Sequence, residues 1–155
     1  MNPVDERIVK FIHEHHIFTL ATSSNNKPYT CTCFYVYINE LNMLVFTSDK
    51  TTKHIMDVQE QPFVSGTVAL ETGVIGKIRG IQFTGELTEL TGKELSLAKK
   101  AYLMKFPVAI LMKTTLWGIV PDFIKMTDNR LGFGMFGNGR IDEKSYPLPG
   151  VICHT

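Results

Sequence analysis

The stretch YTCTCFYVYI, residues 29–38, constrains the fold more than any other part of the chain. It is built almost wholly of aromatic and β-branched side chains, which suit a pleated, half-buried surface and crowd a helix. Read as a strand, it places Thr30, Thr32, Phe34, Val36 and Ile38 on one face, and Cys31 and Cys33 together on a face of their own. The tight link NELN follows, and MLVFTS then returns, so the pair reads as a hairpin.

Strand-like runs recur along the chain. IFTLAT precedes the hairpin across the turn SNNKP, and FVSGTVAL, IRGIQFTGELTEL and TLWGIVPDFIKMTD follow it. ETGVIGK is a glycine-bearing turn. Gly80 and Gly85 mark bulges or bends, and Pro121 bends the last strand. Three segments read as helices. NPVDERIVKFIHEHH has Asn2 as cap, Pro3 in the first turn and a stripe of Val4, Ile8, Phe11, Ile12 and His15. Thr51–Gln59 is stopped by Pro62. TGKELSLAKKAYLMKF has the T-x-x-E capping box of Thr91 and Glu94, a face of Leu95, Ala98 and Tyr102, and a stop at Pro107. The tail from Asn129 is rich in glycine and proline and reads as irregular. Five or six strands with covering helices predict a mainly β, α+β fold. A small barrel, whose closure removes strand edges, is the expected form, as one domain over 1–155.

The remaining features narrow the function classes. A net charge of +1 with no basic stripe argues against nucleic acid. No apolar run is long enough to cross a bilayer, and the N-terminus lacks a signal-peptide core, so a cytoplasmic location is expected. Three cysteines, Cys31, Cys33 and Cys153, are no disulfide framework. A metal reading of Cys31 and Cys33 needs further ligands at coherent spacing, and none is visible; they read as small buried residues in a reducing compartment. His13 and His16 could share a helix face but lack a carboxylate or cysteine beside them. No metal site is therefore expected. No G-x-S-x-G or P-loop motif occurs, and GFGMFG does not lie between a strand and a helix, so a dinucleotide fingerprint fails on context.

The stretch VFTSDKTTKHIMD, residues 45–57, remains. Thr47 and Ser48 end a strand, and Lys50, Thr51, Thr52, Lys53 and His54 lead into a helix. Hydroxyls, cations and free amides at a helix start suit a phosphate. A solvated N-terminal cap with exposed lysines fits the spacing as well.

The order of these elements, with FYVYINELNMLVFTSDKT, SGTV, IRGIQFTGEL, LAKKAY, KFPVA and IKMTDNRLGFG, resembles the FMN-binding split barrel of the pyridoxamine 5'-phosphate oxidase superfamily. Within it the chain is most similar to the short YhbP-like proteins, over about Thr19 to Gly134. The resemblance implies a homodimer with FMN at the subunit interface, and an FMN-dependent oxidoreductase of unassigned substrate. A flavin- or tetrapyrrole-binding protein without turnover is the alternative. The resemblance puts Thr32, Cys33 and Phe34 under the flavin ring, Thr47 and Ser48 as the hydroxyl pair, and Thr52, Lys53 and His54 at the phosphate. The place of the oxidase's flavin-contacting glutamine falls on Gly80, with Arg79 or Gln82 as the substitute. The oxidase's strand-two arginine falls near Thr32 and is absent, as is its C-terminal Trp and Arg motif, so vitamin oxidation is not implied. No catalytic acid or base is identified.

Overall fold

The computed structural model describes residues 4–111 and 114–129, and the backbone of 144–147. Helix α1 (Glu6–Glu14) leads into strand β1 (Ile17–Ser24) and the long β2 (Lys27–Ile38). Strand β3 (Met43–Ser48), helix α2 (Lys53–Glu60) and strand β4 (Phe63–Ala69) follow. Strand β5 (Arg79–Glu89), helix α3 (Gly92–Lys105), strand β6 (Thr115–Asp128) and a short β7 (Lys144–Pro147) complete the chain.

The strands pair antiparallel in the order β3-β2-β1-β4-β5-β6, and β3 also pairs with β6, which closes a six-stranded barrel. β6 spans the whole wall. Its first half meets β3, from Ser48↔Thr115 to Leu44↔Ile119, and its second half carries β7 on Phe123–Met126. Between these halves the register against β5 slips after Thr84, so Asp122 is an extra residue beside Pro121. This bulge confirms the expected bend, and Gly85 lies opposite it. The tail, read as irregular, thus supplies one strand; GFGMFG and Cys153 lie outside the described residues.

Strand alternation decides what fills the barrel. Phe18 and Leu20 of β1, Tyr35 and Tyr37 of β2, Leu44 and Phe46 of β3, Ile81 and Phe83 of β5, and Trp117 and Ile119 of β6 form the interior. Ile8, Phe11 and Ile12 of α1 close one side of it, as the helical stripe predicts. The opposite faces of β2 and β3 bury Val36, Ile38, Met43 and Val45 under Ala98 and Tyr102 of α3. Trp117 is therefore a core residue.

Two helix caps differ from expectation. Asp5 caps α1, its carboxylate accepting from the Arg7 amide at 2.8 Å; Asn2 and Pro3 lie outside the described residues. Thr91 caps α3 by position, but its hydroxyl makes no capping bond. Gly92 opens the helix at φ +56, a left-handed start that a capping box does not use. No helix among the described residues is long and apolar enough to cross a membrane.

Candidate functional site at the mouth of the barrel

Helix α2 lies across one end of the barrel, packed on β1 and β2. Beneath it the interior turns polar. Thr22, Ser48 and Asp57 are the buried polar side chains of the described residues. Asp57 accepts from the Thr22 hydroxyl at 3.0 Å and pairs with Lys53 one helical turn earlier. The Lys53 ammonium, and then the Thr22 hydroxyl, hold the Asp57 carboxyl below its usual range against the opposing effect of burial. The Lys53 ammonium also lies 5.7 Å from the centre of the Tyr29 ring.

Ser48 joins the next group. Its Oγ lies 3.0 Å from Thr52 Oγ1 and 2.8 Å from His54 Nε2, and Thr52 Oγ1 is 3.3 Å from the same nitrogen. Thr52 is the N-cap of α2 without a capping bond, because its hydroxyl donates to the Asp49 carbonyl at 2.8 Å. The Asp49 carboxylate instead accepts from the Thr51 amide at 2.9 Å and the Thr51 hydroxyl at 2.8 Å, which holds its pKa down. The Trp117 indole, on the neighbouring strand β6, donates to the Ser48 carbonyl at 3.2 Å.

Cys31 and Cys33 face this group from β2. Their sulfurs are 3.8 Å apart, and both side chains are half-buried. The hydrogen bond between the two thiols lowers the Cys31 pKa, with His54 adding to the effect against burial, while the same bond and then burial push the Cys33 thiol up. Cys31, Cys33 and His54 have ligand atoms within 4.8 Å of one another. The expectation that no third ligand stands near the two cysteines is corrected here. His54 comes from a helix after the hairpin, and only the way α2 docks on the barrel reveals it.

The structure brings together Cys33, Ser48, Thr52 and His54, with Lys53 beside them on α2. It separates the other residues singled out in the sequence. Thr47 and Ser48 are consecutive in a strand and so point to opposite faces. Thr47 lines a cavity of about 470 Å³ with Glu89, Lys99, Tyr102 and Thr115, and the Tyr102 hydroxyl there donates to the Phe34 carbonyl at 3.4 Å. Lys50 turns away to Glu89, at 2.7 Å. Thr32 and Phe34 lie outside the barrel, and Phe34, 57% exposed, meets Phe106 edge-on at 5.5 Å. Gln82 shares that outer surface: the register runs Thr32↔Thr19, Thr19↔Thr67 and Thr67↔Gln82, and all four are exposed. Arg79 lies toward the opposite end of β6, between Glu14 and Asp128 and over the Phe11 ring. Asp57 and Thr22 were not singled out in the sequence; an acid in a helix interior and a threonine in a strand carry no signal of burial.

No family model matches the chain. It is 37% identical over 127 residues to a UPF0306 protein of Photorhabdus laumondii, covering 82% of this chain and 89% of that one. To the UPF0306 protein YhbP of Escherichia coli O157:H7 it is 36% identical over 128 residues, with 82% and 86% covered. Among solved structures it is similar to a heme binding protein from Mycobacterium smegmatis, with a TM-score of 0.72 and 15% identity, over 95% of this chain and 59% of that one. A FAD-binding protein from Mesorhizobium loti gives a TM-score of 0.65 and 16% identity, over 78% and 91%. A Listeria innocua protein described as a candidate pyridoxamine 5'-phosphate oxidase gives 0.63 and 14%, over 78% and 95%. These likenesses carry the fold, the split barrel of the pyridoxamine 5'-phosphate oxidase type.

Proposed function

The chain belongs to the UPF0306 family of YhbP-like split-barrel proteins, and on that premise we propose that it is an FMN-binding flavoprotein with oxidoreductase activity, working as a homodimer. The observation that carries this reading is the junction of β3 and α2. Ser48 and Thr52 converge there at the start of a helix whose cap residue makes no side-chain bond to it. The Lys53 side chain stands half-exposed beside them, within reach of an incoming phosphate. A phosphate monoester placed there would take donors from Lys53, the Thr52 hydroxyl and the first-turn amides. Bound FMN would supply hydride or electron transfer, and the protein's part is to hold the phosphate, orient the ring and keep water away.

The outer surface of β1, β2, β4 and β5 supports the dimer. Small polar residues line its middle row, while Ile17, Phe34 and Phe63 are exposed around it. Such a surface suits a second copy and a planar ring between the copies. The M. smegmatis protein similar to this chain is a heme binding protein, which raises the tetrapyrrole alternative. His13 and His15 each have one ring nitrogen engaged at 2.8 Å, with Asn39 and with the Phe11 carbonyl, and an axial ligand needs only the other.

A fluorescence titration of the full chain with FMN tests the reading. Saturable quenching of FMN at one equivalent per chain is expected, with sedimentation at the mass of a dimer. Unquenched FMN at high protein concentration would remove the cofactor assignment. Reduction of bound flavin by NADH or NADPH in stopped flow separates an oxidoreductase from a passive carrier.

A further inference from the structure

We propose that Cys31, Cys33 and His54 form a binding site for a thiophilic divalent cation, Zn²⁺, inside the mouth of the barrel. The two sulfurs are 3.8 Å apart. Two thiolates bound to one tetrahedral Zn²⁺ at about 2.3 Å each stand about 3.8 Å from one another, so the strand already holds them at the required span. They come from alternate positions of β2, which fixes both on one face without any loop. His54 brings a nitrogen within 4.8 Å of both sulfurs, and a tetrahedral site asks for about 3.5 Å, a change that rotation of one side chain on α2 can supply.

The surroundings fit the same occupant. Ser48 Oγ and Thr52 Oγ1 lie 2.8 and 3.3 Å from the His54 ring, so oxygen donors border the remaining side of the site. Two sulfurs and one imidazole select zinc over magnesium or calcium, which prefer all-oxygen sites. Three protein ligands leave a fourth position for water or another small ligand. Binding releases to solvent the proton that the two sulfurs still hold, and no redox change is involved. The site lies on the inward side of α2 from Lys53. It engages Cys33 and His54, both of which the flavin reading also uses, and it stands without that reading.

Cobalt(II) added to the reduced full-length chain, without flavin, is the test. One equivalent per chain should give a thiolate-to-cobalt charge-transfer band and strong tetrahedral ligand-field bands, and Zn²⁺ should bleach both. Cys33→Ser should abolish the charge-transfer band, His54→Ala should weaken Co²⁺ about tenfold or more, and Cys153→Ser should leave the spectrum unchanged. Circular dichroism checks that each variant is folded, and Cys31→Ser serves if Cys33→Ser is not. Absence of the band in the parent protein, or its survival in the Cys31→Ser/Cys33→Ser double variant, overturns the site. Neither result bears on FMN.

Discussion

The indole Nε1 of Trp117 donates to the carbonyl oxygen of Ser48 across 3.2 Å, tying the end of β3 to the strand that closes the barrel. Trp117 is the sole tryptophan of the chain and is 4% exposed. Replacing it with Phe keeps much of the apolar volume and removes the donor to the Ser48 carbonyl. Trp117→Phe is expected to cost about 1–3 kcal/mol in urea unfolding. A midpoint equal to that of the parent would mean the bond contributes nothing.

Lys53 is the cation that the proposed phosphate would meet. Lys53→Ala should weaken FMN by about 1.5–3 kcal/mol, the range of a charge-assisted bond, while riboflavin binds as before. Equal losses for the two ligands, in parallel fluorescence titrations, would place Lys53 away from the phosphate.

Asp57 makes stability depend on pH. Its folded pKa lies below the unfolded value of about 3.9, because Lys53 and Thr22 favour the carboxylate. The unfolded chain therefore takes up the proton first. The contribution is complete above about pH 4 and is lost as pH falls through the folded pKa. Asp57→Asn should be less stable than the parent at pH 7, with the gap narrowing at pH 3. Urea midpoints at the two pH values decide it, and a gap of constant size would show that the charge is not the cause.

Gly85 lies where β5 passes the bulge of β6. A Cβ there would stand 2.4 Å from the Val120 carbonyl oxygen and 3.0 Å from Pro121 Cα, both backbone atoms. Because backbone cannot rotate aside, Gly85→Ala should destabilise by about 1–3 kcal/mol or more. Thermal unfolding of the variant at the parent's temperature would refute the close approach.

The sequence shows the wall of the barrel more clearly than its mouth. Alternation in YTCTCFYVYI, Gly85 of β5 and Pro121 follow local rules and appear in the structure as a strand, a bulge and a bend, whereas Gly80, expected to bend β5 as well, pairs in register with Ala69 and Thr127. The same alternation, followed one residue further, separates Thr47 from Ser48 and sends Thr32 and Phe34 outward while Cys33 turns in. The meeting of Cys31 and Cys33 with His54, and of Thr22 with Asp57, depends on how α2 docks across the strands. That docking is set by packing of Ile55 and Val58 into the core, which no spacing within α2 encodes. The unused Thr91 cap shows the converse: a local motif can be present and yet be bypassed by one left-handed glycine.

The pairing of Ser48 with Thr115 also has a meaning in time. Everything that forms the β3–α2 junction leaves the ribosome well before β6 exists. Until β6 arrives, one edge of β3 is open and the Ser48 carbonyl has no indole to meet it. A product that ends before residue 115 therefore keeps that edge of β3 unpaired, a strand edge open to other chains.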